Sequence, residues 1–180
     1  RDTVELAGEY LRGERSDTNR ETRTVAAVVR DLPDPANAAA RTGSEDIREH
    51  GPRSRAANGS PDYLFVWGNW PEIYYWSGLL PASRYLSAQP LTGVPADVHY
   101  AQEGYRSILD ASMTAAARTE LLRDLVQTPP GYIVDELGFR DDRLSIERYP
   151  ELNDFMKNYD RRSLDDRIPI YIRRARTSAR

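Results

Sequence analysis

The residues of this chain best suited to chemistry are carboxylates and an amide at the ends of apolar runs. Asp135 and Glu136 follow Tyr132-Ile133-Val134, and Asn69 with Glu72 follows Tyr63-Leu64-Phe65-Val66-Trp67. Ligands of open α/β sheets settle outside the carboxyl ends of the strands, so acidic groups there suit general acid–base work or the binding of a polar ligand. A structural reading stands beside this one: Glu72 stabilises the positive start of a short helix and Asp135 closes a turn.

Aromatic and cationic candidates lie close by in sequence. Trp70 and Tyr74, with Trp67, Tyr75 and Trp76, could stack on a sugar or a lipid headgroup or could be core; Trp67 is expected to be core. Arg84, beside Tyr85, could clamp a phosphate or hydrogen-bond its own loop. Arg173, Arg174, Arg176 and Arg180 could touch anionic lipid or form a solvated tail.

Several chemistries have no signature here. The chain carries no Gly-rich phosphate loop, no Gly-x-Ser-x-Gly elbow and no His-Glu-x-x-His pair, and His50 and His99 are far apart in sequence. It has no cysteine, which excludes disulfides and thiolate metal sites. No cofactor or metal is expected. A net charge of −3 argues against a dedicated nucleic-acid binder. Lys157 is the only lysine, and the arginine- and alanine-rich composition fits a GC-rich genome. No run of about 18 apolar residues is present, and the start lacks a signal-peptide pattern. A chain opening Arg1-Asp2-Thr3 reads as a piece of something longer.

At 180 residues the chain suits one domain. Residues 1–32 read as N-terminal helices. Val4, Ala7 and Leu11 suggest a turn or two, and a Thr18/Glu21 capping box opens a helix from Asp17 to Leu32 with Val25, Val28, Val29 and Leu32 as its buried stripe. Residues 33–61 are rich in Pro, Ala, Asn, Gly, Ser and Arg and predict a long mobile polar loop. Asn58-Gly59-Ser60 within it matches a glycosylation acceptor only formally, since Pro61 follows.

Residues 62–174 form the expected α/β core, and 175–180 a tail. Tyr63–Trp67 is a strand covered on both faces. Pro71–Ser77 is a short helix closed by Gly78, and Leu79–Tyr100 is irregular. Tyr105 to Leu125 traces one or two helices that end before Pro129-Pro130. Tyr132–Asp135 is a second buried strand. Pro150 starts a helix whose apolar stripe is Leu152, Phe155, Met156 and Tyr159, and Ile168–Ile172 is a last strand. Pro169 makes this last strand an edge, or leaves its first residues unpaired on one side. Three strands separated by helices predict a small, mainly parallel three-stranded α/β sheet flanked by helices, with Tyr63–Trp67 at its centre.

The pieces Val66-Trp67-Gly68-Asn69-Trp70-Pro71-Glu72-Ile73-Tyr74 and Ser77-Gly78-Leu79-Leu80-Pro81-Ala82-Ser83-Arg84-Tyr85 resemble a region near the end of many bacterial multi-pass membrane glycosyltransferases. These are relatives of the dolichyl-phosphate-mannose protein mannosyltransferases and the aminoarabinose lipid A transferases. Pro129-Pro130-Gly131-Tyr132-Ile133-Val134, a helix ending at Tyr159 and the strand Ile170-Tyr171-Ile172-Arg173 agree in order and spacing. The likeness covers most of the chain from Asp62 onward, and 33–61 departs from it as an insertion.

The resemblance implies an extracytoplasmic domain at the cell membrane, on the periplasmic or outer face. The whole protein would transfer a sugar from a polyprenyl-phosphate donor to an extracytoplasmic acceptor. Its catalytic acid would lie in a membrane part that this chain does not contain, so none of these residues inherits it and the fragment alone would be inactive. Expected partners are its own transmembrane portion and a lipid-linked sugar or cell-envelope acceptor. Two alternatives remain: a free-standing α/β sugar- or nucleotide-binding module, or a structural interaction domain that docks through its aromatic patch.

Overall fold

The structure, a computed structural model, describes residues 20, 22–30, 63–94, 111–164 and 167–174. The capping box, the segment 33–61, both histidines and the terminal arginines Arg176 and Arg180 lie outside them.

A five-stranded mixed sheet organises these residues, in the order β2-β1-β3-β5-β4. Its strands are β1 (Tyr63–Trp67), β2 (Leu80–Pro81), β3 (Tyr132–Asp135), β4 (Tyr159–Leu164) and β5 (Ile168–Arg173). The helices are α1 (22–30), α2 (Glu72–Ser77), α3 (Gln89–Thr92), α4 (Ala111–Gln127), α5 (Glu136–Arg140) and α6 (Asn153–Met156), with three short 3-10 turns between Asp142 and Leu152.

The α/β class holds, but the small, mainly parallel three-stranded sheet does not. β1 pairs in parallel with β2 and β3, whereas β5 runs antiparallel to both β3 and β4. The central strand is β3. The expected helix from Pro150 through Tyr159 breaks into a 3-10 turn, the four-residue α6 and then β4, with Tyr159 as the first strand residue. β4 (Tyr-Asp-Arg-Arg-Ser-Leu) is mostly solvent-exposed, so it lacks the apolar run that marks a buried strand. Only residues 165–167 separate β4 from β5. That is a hairpin connection, too short for the crossover that parallel strands require.

β1 is apolar throughout because both its faces are covered. Phe65 and Trp67 join one core with Leu121, Leu125, Ile133, Leu144, Ile146 and Tyr171; Leu64 and Val66 join the other with Val25, Val29, Ile73, Val134 and Ile170. Strand alternation divides the residues this way, so helices α3 and α4 lie against one face and α1 and α2 against the other. In α1 the buried stripe is Val25, Ala26 and Val29, with Val28 half-buried.

Pro169 sits in an interior strand, not at an edge, and its second expected setting explains why. Arg173 N donates to Gly131 O and Arg174 N to Asn158 O. Alternation therefore turns the nitrogen of residue 169 toward β3, where the β3–β5 ladder has already stopped at Val134↔Ile170. The adjacent carbonyl belongs to Asp135, the N-cap of α5, and an N-cap carbonyl serves its own helix.

Candidate functional site

The carboxyl ends of β1 and β3 lie side by side, with Trp67 in register with Asp135. At this point Glu136, a buried residue, reaches across: its Oε2 accepts from Asn69 N at 2.8 Å, and its Oε1 from Arg140 Nε at 2.6 Å. Glu136 and Arg140 are one helical turn apart, the spacing that brings opposite charges together. Gly68 makes this approach possible. A Cβ there would stand 2.4 Å from Glu136 Oε2. The Asn69 side chain is engaged on its other side, where its Oδ1 accepts from Ser87 Oγ at 2.7 Å.

Asp135 points to the opposite face of the sheet and is fully buried. Its Oδ1 accepts from Gly138 N at 2.7 Å, while its Oδ2 accepts from Ser145 Oγ at 2.7 Å and from Ile146 N at 3.1 Å. One carboxylate thus caps α5 and anchors the 3-10 segment that follows. Gly138 is required for the same reason as Gly68, because a Cβ at 138 would lie 2.4 Å from Asp135 Oδ2. Burial pushes the Asp135 carboxyl up to about 6, against the pull of its three donors. Tyr171 stands beside it on β5, with a buried hydroxyl that makes no hydrogen bond. Burial raises that phenol, and the Asp135 and Glu147 carboxylates add to the rise.

The aromatic candidates divide. Trp67 is buried as expected; its Nε1 donates to Leu144 O at 2.8 Å and its ring meets Tyr149 edge-on at 4.9 Å. Trp70 is also core, only 3% exposed, with Phe139 at 6.2 Å and the Arg140 guanidinium 5.2 Å above its ring. Tyr74 mends the sheet. β2 is two residues long, so Val66 N finds no strand partner on that side and donates instead to the Tyr74 hydroxyl at 3.0 Å. Burial lifts that phenol to about 12. Tyr75 and Trp76 face outward, 78% and 39% exposed, packed edge-on at 4.8 Å with the Arg23 guanidinium 4.6 Å from the Trp76 ring.

Glu72 is exposed in the first turn of α2; Pro71, expected as the first helical residue, is the N-cap, and Gly78 closes the helix at φ 70°. Arg84 is bound in a clasp. Its Nε and one terminal nitrogen grip Asp124 of α4 at 3.1 and 2.9 Å, and Ser83 Oγ and the Arg84 amide donate to the same carboxylate. The Arg84 guanidinium holds the Asp124 carboxyl below its ordinary value. Arg173 and Arg174 are likewise engaged, with Pro129 O and Asp160.

The sequence-derived candidates therefore fall into three places. Asn69, Trp70, Tyr74 and Asp135 gather around the β1–β3 strand ends, Arg84 belongs to the tie between its loop and α4, and Glu72 lies on the exposed side of α2. Sequence reasoning named Glu136 at its strand end but not its tie to Arg140, and it did not single out Ser87, Ser145, Asp124 or Tyr171. The Glu136/Arg140 spacing was a visible signal; Ser145 and Ser87 carried none, since their roles depend on chain paths set by packing. Among the described residues no His/Asp/Glu group could hold a metal ion, and no helix is long and apolar enough to cross a membrane. No protein-family model, no curated protein and no solved structure matches the chain.

Proposed function

We propose that this chain is the extracytoplasmic accessory domain of a bacterial membrane glycosyltransferase that moves a sugar from a polyprenyl-phosphate donor to a cell-envelope acceptor. Catalysis would reside in the membrane portion. The observation that carries the reading is where the resembling segments fall: Val66–Tyr85 spans the end of β1, α2 and the β2 turn, Pro129–Val134 leads into β3, and Ile170–Arg173 lies in β5. Three adjacent strands thus hold the shared residues, and these are occupied in holding one another. Tyr74 caps Val66, Trp67 is pinned to Leu144, and Arg84 clasps Asp124. Residues so occupied suit a scaffold, which supports a reading in which the chemistry lies in another part of the protein. The carboxylates best placed for catalysis, Asp135 and Glu136, are committed to the backbone groups they satisfy.

The test is the coding sequence upstream of Arg1 in the full-length gene. Several apolar runs of about 20 residues are expected there, and their absence would sink the proposal. A second reading, an interaction domain, is favoured by the exposed Tyr75–Trp76 pair with Arg23 stacked on it. Tyr, Trp and Arg are the residues that dominate binding at interfaces.

A further inference from the structure

We propose that β4 is a docking edge for an extended acidic peptide segment, which would add to the sheet as a sixth strand. The sheet ends on one side in β2, two residues long and half proline, and on the other in β4, six residues paired to β5 along its whole length. Because Arg174 N donates to Asn158 O, residues 158, 160, 162 and 164 turn their backbone groups toward β5. The N–H and C=O of Arg161 and Ser163 therefore point away from the sheet. Both residues are exposed, and among the described residues nothing pairs with those groups.

Charge selects the occupant. Asp160 is neutralised by Arg174, whereas Arg161 and Arg162 are exposed and have no ion-pair partner among the described residues. Adjacent strand residues point to opposite faces, so one guanidinium stands on each side of the edge. Acidic side chains on both faces of an incoming strand would each meet one. A second copy of β4 would bring arginine against arginine, an unfavourable cross-strand pairing. Charged edges deter indiscriminate strand pairing; here the same two charges admit an acidic strand and refuse a basic one. Backbone hydrogen bonds would supply affinity and the arginines selectivity, the usual division in strand addition.

The experiment titrates the 180-residue chain with three synthetic peptides of about seven residues, followed by backbone NMR. One alternates Glu with Thr and Val, one carries Lys in place of Glu, and one is the Glu peptide N-methylated at alternate residues. The Glu peptide is expected to shift the Arg161 and Ser163 amides and slow their hydrogen exchange. The N-methylated peptide should bind about tenfold or more weakly, and the Lys peptide should leave the spectrum unchanged. The R161E/R162E double variant should reverse the peptide preference. Ser163→Pro removes an outward N–H that the fold does not use, so it should block binding while keeping both arginines. Equal binding of the N-methylated peptide, shifts confined to other strands, or no binding by the Glu peptide at low salt would each overturn the proposal.

Discussion

Asp135→Asn is the substitution that most directly tests how the centre of this fold is held. Asp135 is fully buried at the junction of β3 and α5, and displacement of its carboxyl from the ordinary 3.8 to about 6 reflects a desolvation cost that its three donors do not offset. At about 1.4 kcal/mol per pH unit, ionised Asp135 makes the fold less stable at neutral pH than its protonated form would, by about 3 kcal/mol. The sign follows from the direction. A folded-state value above the unfolded one means the native protein holds the proton more tightly. The stabilising contribution is complete below pH 3.8 and is lost as pH rises through about 6. Asparagine cannot titrate, and its single oxygen cannot serve both Gly138 N on one side and Ser145 Oγ with Ile146 N on the other. One donor is stranded, at about 1–3 kcal/mol at low pH. Urea denaturation of both proteins from pH 4 to pH 8 reads the difference, and subtraction removes the other carboxylates. The advantage of wild type over Asp135→Asn should shrink by about 2–3 kcal/mol across that range. A constant or growing advantage would show that the three hydrogen bonds outweigh desolvation, and the reasoning would fail.

Other perturbations separate groups that look alike in the sequence. Tyr171→Phe removes a buried hydroxyl without a partner and should leave stability unchanged or raise it by up to about 1 kcal/mol. Tyr159→Phe removes a donor to Pro130 O at 2.9 Å and should cost about 1 kcal/mol by the same denaturation assay. Gly68→Ala forces Glu136 away from Asn69 and Arg140, and a drop of about 2–4 kcal/mol is expected; an unchanged Tm would refute the close approach. Tyr74→Phe should cost about 1–2 kcal/mol and speed hydrogen exchange at the Val66 amide specifically, which loses its acceptor.

The strands covered on both faces were legible to the residue. Tyr63–Trp67 and Tyr132–Asp135 are strong local signals because continuous apolar runs bounded by Gly, Asn or acidic residues allow few other readings. β4 was not legible, because an exposed edge strand has no periodic apolar face and the apolar residues before it mimic a helical stripe. β2 was hidden by its length and its proline. At the candidate site, the strand-end positions of Asn69 and Glu136 were legible and the Glu136–Arg140 pair was not read, while the bond that joins Asn69 to Glu136 spans 67 residues. A contact of that kind is decided only when β1 and β3 pair. Arg84 shows the same limit: its partner Asp124 is 40 positions away on α4.

That separation has a kinetic side. β4 and β5 can zip as a hairpin across three residues, whereas β1 meets β3 only after a chain of more than sixty residues has closed, at an entropic cost not yet repaid by contacts. The parallel join should therefore be the late event of folding. Stopped-flow measurements would place it: Ile170→Val should slow refolding more than Phe65→Leu does for the same loss of stability, and the opposite order would put the β1–β3 join in the nucleus. Until that join forms, Glu136 lacks its Asn69 partner, and the aromatic stretch from Trp67 to Trp76 is without the β3 side of its packing. The most aggregation-prone interval in the life of this chain would then be the wait for its two central strands to meet.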